Sequence, residues 1–290
     1  MKFSKAMRKK AKLRLALTGP SGSGKTYGAL IIAKGLGGTT AVIDTEKGSA
    51  SLYSDRFNFD VLELDPPFTP ERFIEAITAA QDAGYDNLII DSLTHEWSGT
   101  GGCLEMLDSL AKAKFGGNTW SAWSVITPRH NKFLDAILRS DVNIIATMRS
   151  KTETAQVDKG NGKRRVDKLG MKSEQRDGVE YEFTTVLDLN HETHTAVASK
   201  DRTGLFSNAD FTVIDETTGQ RLMAWMNDGN SKADIDLAHF TESASNAQDM
   251  DTLKAAFAEA YKTLRDTPEQ AKAQEVYESR KEELISKEAA

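Results

Sequence analysis

Between residues 13 and 50 the chain reads LRLALTGPSGSGKTYGALIIAKGLGGTTAVIDTEKGSA, and within it Gly19-Pro20-Ser21-Gly22-Ser23-Gly24-Lys25-Thr26 fits the spacing G-x-x-x-x-G-K-[ST]. No other stretch constrains the fold as much. Backbone N–H groups can surround a polyphosphate only where side chains stay out of the way, and a helix that opens at that point adds partial positive charge. The spacing therefore demands a strand before the glycines and a helix after them, and an apolar run and a helix-forming run stand in those places. It assigns Lys25 to the β- and γ-phosphates and the Thr26 hydroxyl to Mg²⁺, so ATP with Mg²⁺ is the expected ligand pair.

The same alternation continues downstream. Residues 13–18, 40–44, 87–91 and 142–147 are short apolar runs, and segments of helical character occupy 25–34, 70–83, 104–114 and 129–139. Fully apolar strands alternating with helices predict a doubly wound α/β core whose parallel sheet is covered on both faces and binds ligands at the carboxyl ends of its strands. Beyond 147 the segment RSKTETAQVDKGNGKRRVDKLGMKSEQRDG has almost no apolar period and reads as a long mobile loop. YEFTTVLDLN, HTAVASK and DFTVIDETTGQRL then alternate as strands do, which predicts antiparallel hairpins extending the sheet. The expected organisation is a basic arm at 1–12, an ATPase core at 13–227, a linker at 228–250 and an acidic helical hairpin at 251–290.

Charge is distributed unevenly behind a net value of −6. Residues 1–14 carry seven Lys or Arg and no acid; 149–176 carry nine basic residues and four acids; and from 228 onward there are fourteen acids against eight basic residues. The total therefore hides basic patches that could meet nucleic acid. No apolar run approaches the roughly 18 residues of a membrane helix, and the basic N-terminus has no apolar h-region, so a cytoplasmic protein with no membrane partner is expected. The single cysteine, Cys103, excludes an internal disulfide and a multi-cysteine metal site, and reads as a small buried residue. His191 and His194 flank a strand-like stretch at a spacing that points them to opposite faces, which argues against a metal site.

Two acid-bearing stretches suit the phosphate loop. NLIIDS is a buried strand ending in Asp91, placed to hold the magnesium hydration shell beside Thr26. AVIDTEKG offers Glu46, with Asp44 as its rival, to orient or deprotonate an attacking water.

AVIDTEKG, NLIIDSLT and ASKDRTGLF follow one another in the order and spacing of RecA-like ATPases, and the chain most resembles the small phage-encoded members associated with recombination and single-strand annealing. The resemblance covers roughly residues 10–227 and includes QRDGVEYEFTTVLDL. It implies a RecA-like P-loop NTPase core, a mainly parallel sheet extended by antiparallel hairpins, with a small C-terminal helical segment. It implies Glu46 as the catalytic acid and Tyr53 as an aromatic that stacks on adenine. SKDRTG resembles the K-x-R element that such proteins insert into a neighbour's nucleotide site, which makes Lys200 and Arg202 trans fingers and the active site complete only in a homo-oligomer. Residues two apart on a strand point the same way, so both cations can address one site. One departure stands at the strand before the second DNA loop: where RecA itself has a polar amide, this chain has Thr147, at the nucleotide site, with Arg149 close by. Coupling between nucleotide and DNA is therefore expected to differ.

In such a fold the loops near 98–119 and 150–178 line the inner surface of the oligomer. Lys163, Arg164, Arg165, Lys168 and Lys172 are the residues expected to neutralise phosphates of single-stranded DNA. Trp120 and Trp123, three apart on a helix, are expected to pack in the core rather than on bases. The acidic tail is expected either to stabilise the fold or to dock a single-strand binding protein or nuclease. A ring-type DNA helicase motor shares nearly all these residues, and a small-molecule kinase with Arg164 and Arg165 in a lid is a further alternative.

Overall fold

A computed structural model describes the backbone of residues 6–158, 164–207 and 211–288, and the side chains of these residues apart from 152–171 and 287–288. They form two compact units, Lys12–Ala224, and Met1–Ala11 together with Trp225–Ala290.

The larger unit is built on strands β1 (Arg14–Gly19), β2 (Thr40–Asp44), β3 (Asp60–Glu63), β4 (Asn87–Asp91), β5 (Asn143–Asp158), β6 (Arg164–Ser173), β7 (Thr185–Leu189), β8 (Thr195–Asp201) and β9 (Thr212–Val213). They lie in the order β3-β2-β4-β5-β1-β7-β8-β9, with β6 paired to β5 off this path. The pairs from β3 through to β7 are parallel, while β7–β8, β8–β9 and β5–β6 are antiparallel. The fold is thus mixed α/β, with a mostly parallel central sheet extended by antiparallel strands, consistent with a P-loop NTPase.

β1, β2 and β4 are buried at every position, because helices cover both faces. Ala16, Ile43 and Ile90 share one buried cluster with Phe73 and Ile77 of α2 (Pro70–Asp82) and Phe133 and Ile137 of α5 (Thr119–Arg139). Leu17, one residue on from Ala16 and so on the opposite face, lies 3.5 Å from where a Cβ on Gly28 would stand, in α1 (Lys25–Leu36). The order of strands sets the site: β5 separates β1 from β4, so the phosphate loop after β1 and Asp91 at the end of β4 face each other across β5.

Three expectations are corrected. The supposed mobile loop at 150–178 is largely a ribbon: β5 runs on to Asp158 and β6 returns antiparallel to it, from Asp158 opposite Arg164 to Ser150 opposite Ser173. Two antiparallel strands satisfy each other's facing backbone groups, so this pairing can form without a hydrophobic period in the sequence. DFTVIDETTGQRL is strand only at Thr212–Val213, and α6 (Glu216–Asn227) begins within it. Asp215 starts that helix by accepting from the Thr218 N–H at 3.0 Å. α6 lies close against α1 because Gly35 and Gly219 face each other there; a Cβ on Gly219 would run into the Ile32 carbonyl oxygen and stand 2.8 Å from the Gly35 Cα. The stretch expected as a linker contains a helix, α7 (Lys232–Asn246), with Ser231 and Asp234 forming a capping box.

α3 (Thr94–Ser98) and α4 (Cys103–Lys114) complete the larger unit. In the smaller unit α7, α8 (Met250–Thr263) and α9 (Glu269–Glu288) share a core of Phe240, Leu253, Leu264 and Leu284, and Phe257 stacks on Tyr277 with centroids 4.3 Å apart. Among the described residues no helix is long and apolar enough to cross a membrane.

Candidate nucleotide site

The phosphate loop leaves β1 at Gly19 and enters α1 at Lys25. Gly22 and Gly24 have φ of 78° and 91°, the left-handed region that glycine enters without steric cost. Gly24 caps α1 without a side-chain hydrogen bond, and no acid occupies the helix's first turn. The helix N–H groups are thus left to an external acceptor. Pro20 is half-buried, Ser21 exposed and Ser23 fully buried, its hydroxyl without a partner in the structure. The Lys25 ammonium folds back to donate to the Pro20 carbonyl at 2.8 Å. Burial lowers its pKa, while Asp91 and Glu46 pull it back up and Arg149 lowers it further. All four charges therefore meet around one point.

Asp91 is almost fully buried and is held by two hydroxyls, from Thr26 on Oδ2 at 2.6 Å and from Thr147 on Oδ1 at 2.5 Å. Burial raises its pKa and the two hydroxyl donors oppose that rise. A hydroxyl and a carboxylate in contact form the oxygen donor set that Mg²⁺ prefers, so the residues present fit the ion. Thr147 also binds the turn after β4, since the Leu93 N–H donates to its carbonyl at 2.9 Å.

Asp44 and Glu46 differ in the contacts their carboxylates make. Asp44 is buried and accepts from the backbone N–H of Glu46 at 2.6 Å and of Ala50 at 3.0 Å, so it builds the turn. Glu46 is half-buried and accepts from Arg149 Nη2 at 2.8 Å and Nε at 3.0 Å. Arg149, noticeable in the sequence but without a partner there, is thus paired with Glu46. Its N–H also donates to Thr94 Oγ1 at 2.9 Å, and its carbonyl accepts from Glu174, just past β6.

The remaining expected site residues are spread more widely. Tyr53 packs edge-on against Tyr27 of α1, centroids 5.8 Å apart, and is half-buried beside the start of that helix. Lys200 donates to the carbonyls of Glu180, at 3.0 Å, and Tyr181; Arg202 reaches the same Tyr181 oxygen at 3.4 Å. Both cations are thus engaged with one carbonyl of their own chain. Along the backbone, Lys200 pairs with Val186, which pairs with Ala16, three residues before Gly19 on β1 and so about 10 Å back along the strand, while Lys200, Gly19 and Pro20 line one cavity. Burial and Arg202 both lower the Lys200 pKa.

Of the residues expected to bind DNA, Lys163 lies outside the described residues. Arg164, Arg165 and Lys168 fall on β6, and Lys172 pairs with Asp177 at 2.8 Å. Trp123 stacks on Trp97 with Arg176 over its ring, but Trp120 is 86% exposed, against the expectation of core packing. Its place in the first turn of α5 leaves nothing N-terminal to cover it.

Cys103 is buried as expected, and its thiol donates to Glu96 Oε1 at 3.0 Å. The Glu96 carboxylate also meets His130 Nδ1 at 3.0 Å. Burial, and then Glu96, push the thiol pKa up, so the group stays a thiol. His191 and His194 are not on a strand but in the turn between β7 and β8, against the phosphate loop.

A comparison with curated proteins found no match. A family model described as an AAA domain matches residues 11–230, a span that holds the phosphate loop, Asp91, Glu46 and the whole sheet. The glycine loop with its open helix N-terminus and the buried Thr26–Asp91 pair are thus found within a matched sequence rather than as a chance motif, and the chain belongs to the AAA domain family, ATPases of the P-loop type.

Proposed function

We propose that this protein is an ATP-dependent, single-stranded-DNA-binding ATPase of the RecA-like kind, acting as a homo-oligomer in phage DNA recombination or strand annealing. The observation that carries the reading is the course of β5. Its first half is a core strand between β1 and β4 that places Thr147 on Asp91; at Arg149 it touches Glu46; and it then continues into the basic ribbon. One strand thus joins the groups that would handle nucleotide to the segment that would handle DNA.

In this reading the loop of Gly19–Thr26 grips the triphosphate, Lys25 turns from the Pro20 carbonyl to the β- and γ-phosphates, and Thr26 with Asp91 holds Mg²⁺. The bound ion would neutralise charge on the phosphate oxygens. Glu46, released from Arg149, orients the attacking water. Lys200 and Arg202, set back from their own phosphate loop, complete a neighbour's site. Arg164, Arg165, Lys168 and Lys172 neutralise DNA phosphates, and the exposed Trp120 supplies a ring on which a base can stack. The test is ATP turnover and DNA binding with and without single-stranded DNA across a salt series. Stimulation that fades as salt rises is expected; no stimulation together with no binding at low salt overturns the reading.

A further inference from the structure

The turn at residues 190–194, between β7 and β8, lies where topology forces it. β7 runs parallel to β1 with Asp188 opposite Thr18, so the chain leaves β7 beside Gly19. The Leu189 carbonyl oxygen stands 3.0 Å from where a Cβ on Gly19 would be. The turn is braced from within: Asn190 Oδ1 accepts from the N–H groups of Glu192 at 2.8 Å and Thr193 at 3.1 Å, the Asn190 N–H donates to the Thr195 carbonyl at 2.8 Å, and Thr193 and Thr195 share a hydroxyl contact at 2.8 Å. His194 takes a left-handed φ of 53°, a conformation that histidine enters more readily than most residues.

Both imidazoles meet the phosphate loop. His194 Nδ1 lies 3.3 Å from the Ser23 carbonyl, to which it donates when it carries the proton. Cε1 and Nδ1 of His191 lie 3.0 and 3.3 Å from where a Cβ on Gly22 would stand. The His191 ring is exposed and has no hydrogen-bond partner among the described residues. A rigid turn thus sets an unused imidazole against the backbone of a loop whose N–H groups exist to hold an anion. Glu192, exposed in the same turn, is the one acid beside it in sequence.

Resting on the nucleotide-binding reading, we propose that this turn is a second wall of the site. His191 donates to the phosphate chain of a bound nucleoside triphosphate, and His194 is the positioning residue that holds the turn on the phosphate loop. No bond is made or broken by either; the ligand class is a polyphosphate.

The experiment uses the full chain. Ring resonances of His191 are followed by NMR as ATP, tripolyphosphate or adenosine is added, and ATP affinity is measured for His191→Ala, His191→Lys and His194→Ala with melting temperatures alongside. The His191 ring should respond to ATP and to tripolyphosphate but not to adenosine. His191→Ala should weaken ATP binding about tenfold at an unchanged melting temperature, the loss expected for one hydrogen bond to a charged group. His191→Lys, which supplies an N–H donor at the same place, should recover most of it, and in His194→Ala the His191 response to ATP should shrink. A His191 ring blind to ATP, or a His191→Ala variant binding within about twofold of the parent, overturns the inference while leaving the nucleotide reading intact. A parent chain that binds no ATP defeats that reading and this one with it.

Discussion

Replacing Arg149 by Ala tests whether the Glu46 contact restrains hydrolysis. Two N–H groups, at 2.8 and 3.0 Å, converge on one Glu46 oxygen, and the side chains are 44% and 26% exposed. An exposed ion pair contributes about 0.2–1 kcal/mol, and a hydrogen bond to a buried charge about 1.5–3. With solvent reaching both partners, about 1 kcal/mol is the reasonable value here. Freeing the carboxylate from a restraint of that size raises the fraction available to orient water by about fivefold. Arg149→Ala should therefore raise DNA-independent ATP turnover by about that factor and shrink the ratio of stimulated to basal rate. Glu46→Gln should lower turnover by about a hundredfold or more, with or without Arg149. Coupled-assay kinetics with and without single-stranded DNA give both numbers. Should Arg149→Ala abolish basal turnover as Glu46→Gln does, Arg149 is a cation that hydrolysis requires, and the restraint argument fails.

Glu71 and Arg129 join α2 to α5 through two contacts of 2.7 Å, and the hydrogen bonds from Arg129 hold the Glu71 pKa below its ordinary value. A depressed carboxylate stabilises above its unfolded pKa and loses that contribution as pH falls through the folded one. Both groups are more than a third exposed, so Glu71→Gln should cost about 0.5–1 kcal/mol, roughly 2 °C in melting temperature at neutral pH. The gap from the parent should begin to shrink as pH falls through the ordinary Glu value, about 4.3, and close below the depressed folded value; a gap unchanged at the acid end contradicts the assignment. Gly219→Ala drives a methyl group into the α1 backbone rather than into a movable side chain. It should cost about 1–3 kcal/mol, read as a lower urea midpoint with unchanged slope, and a neutral result would show that α1 and α6 separate freely.

What the sequence made legible was what local pattern encodes. Strands 40–44 and 87–91 were visible to the residue because both faces are buried and three consecutive apolar residues fill the middle of each run. The strand at Asp60–Glu63 was not, since every residue of that edge strand is exposed and D-V-L-E shows no pattern. The continuity of α5 across 119–139 was hidden because Pro128, which reads as a stop, sits inside the helix. The ribbon was hidden because its sequence shows no apolar period. Arg149 could be noticed but not paired, its partner being 103 residues away. Spacing alone left Asp44 and Glu46 open and only the resemblance chose Glu46, because the difference lies in their partners: backbone N–H groups for Asp44 and the Arg149 guanidinium for Glu46.

β5 explains why those long-range contacts matter. The Thr147 hydroxyl holds Asp91 and the Thr147 carbonyl holds the Leu93 N–H, so this part of the strand is tied to the end of β4 by two bonds. Two residues on, Arg149 is tied to Thr94 through its N–H, to Glu46 through its guanidinium and to Glu174 through its carbonyl. The base of the ribbon is thus bonded to the segments after β2 and after β4. A load on the ribbon that shifts Arg149 must break or drag at least one of these contacts, whereas Thr147, walled in by β1 and β4, stays in place. The contact that yields at least cost is the most solvated one, the pair with Glu46. Under the proposed function, that ordering would make the position of Glu46, rather than that of Asp91, the quantity that DNA changes.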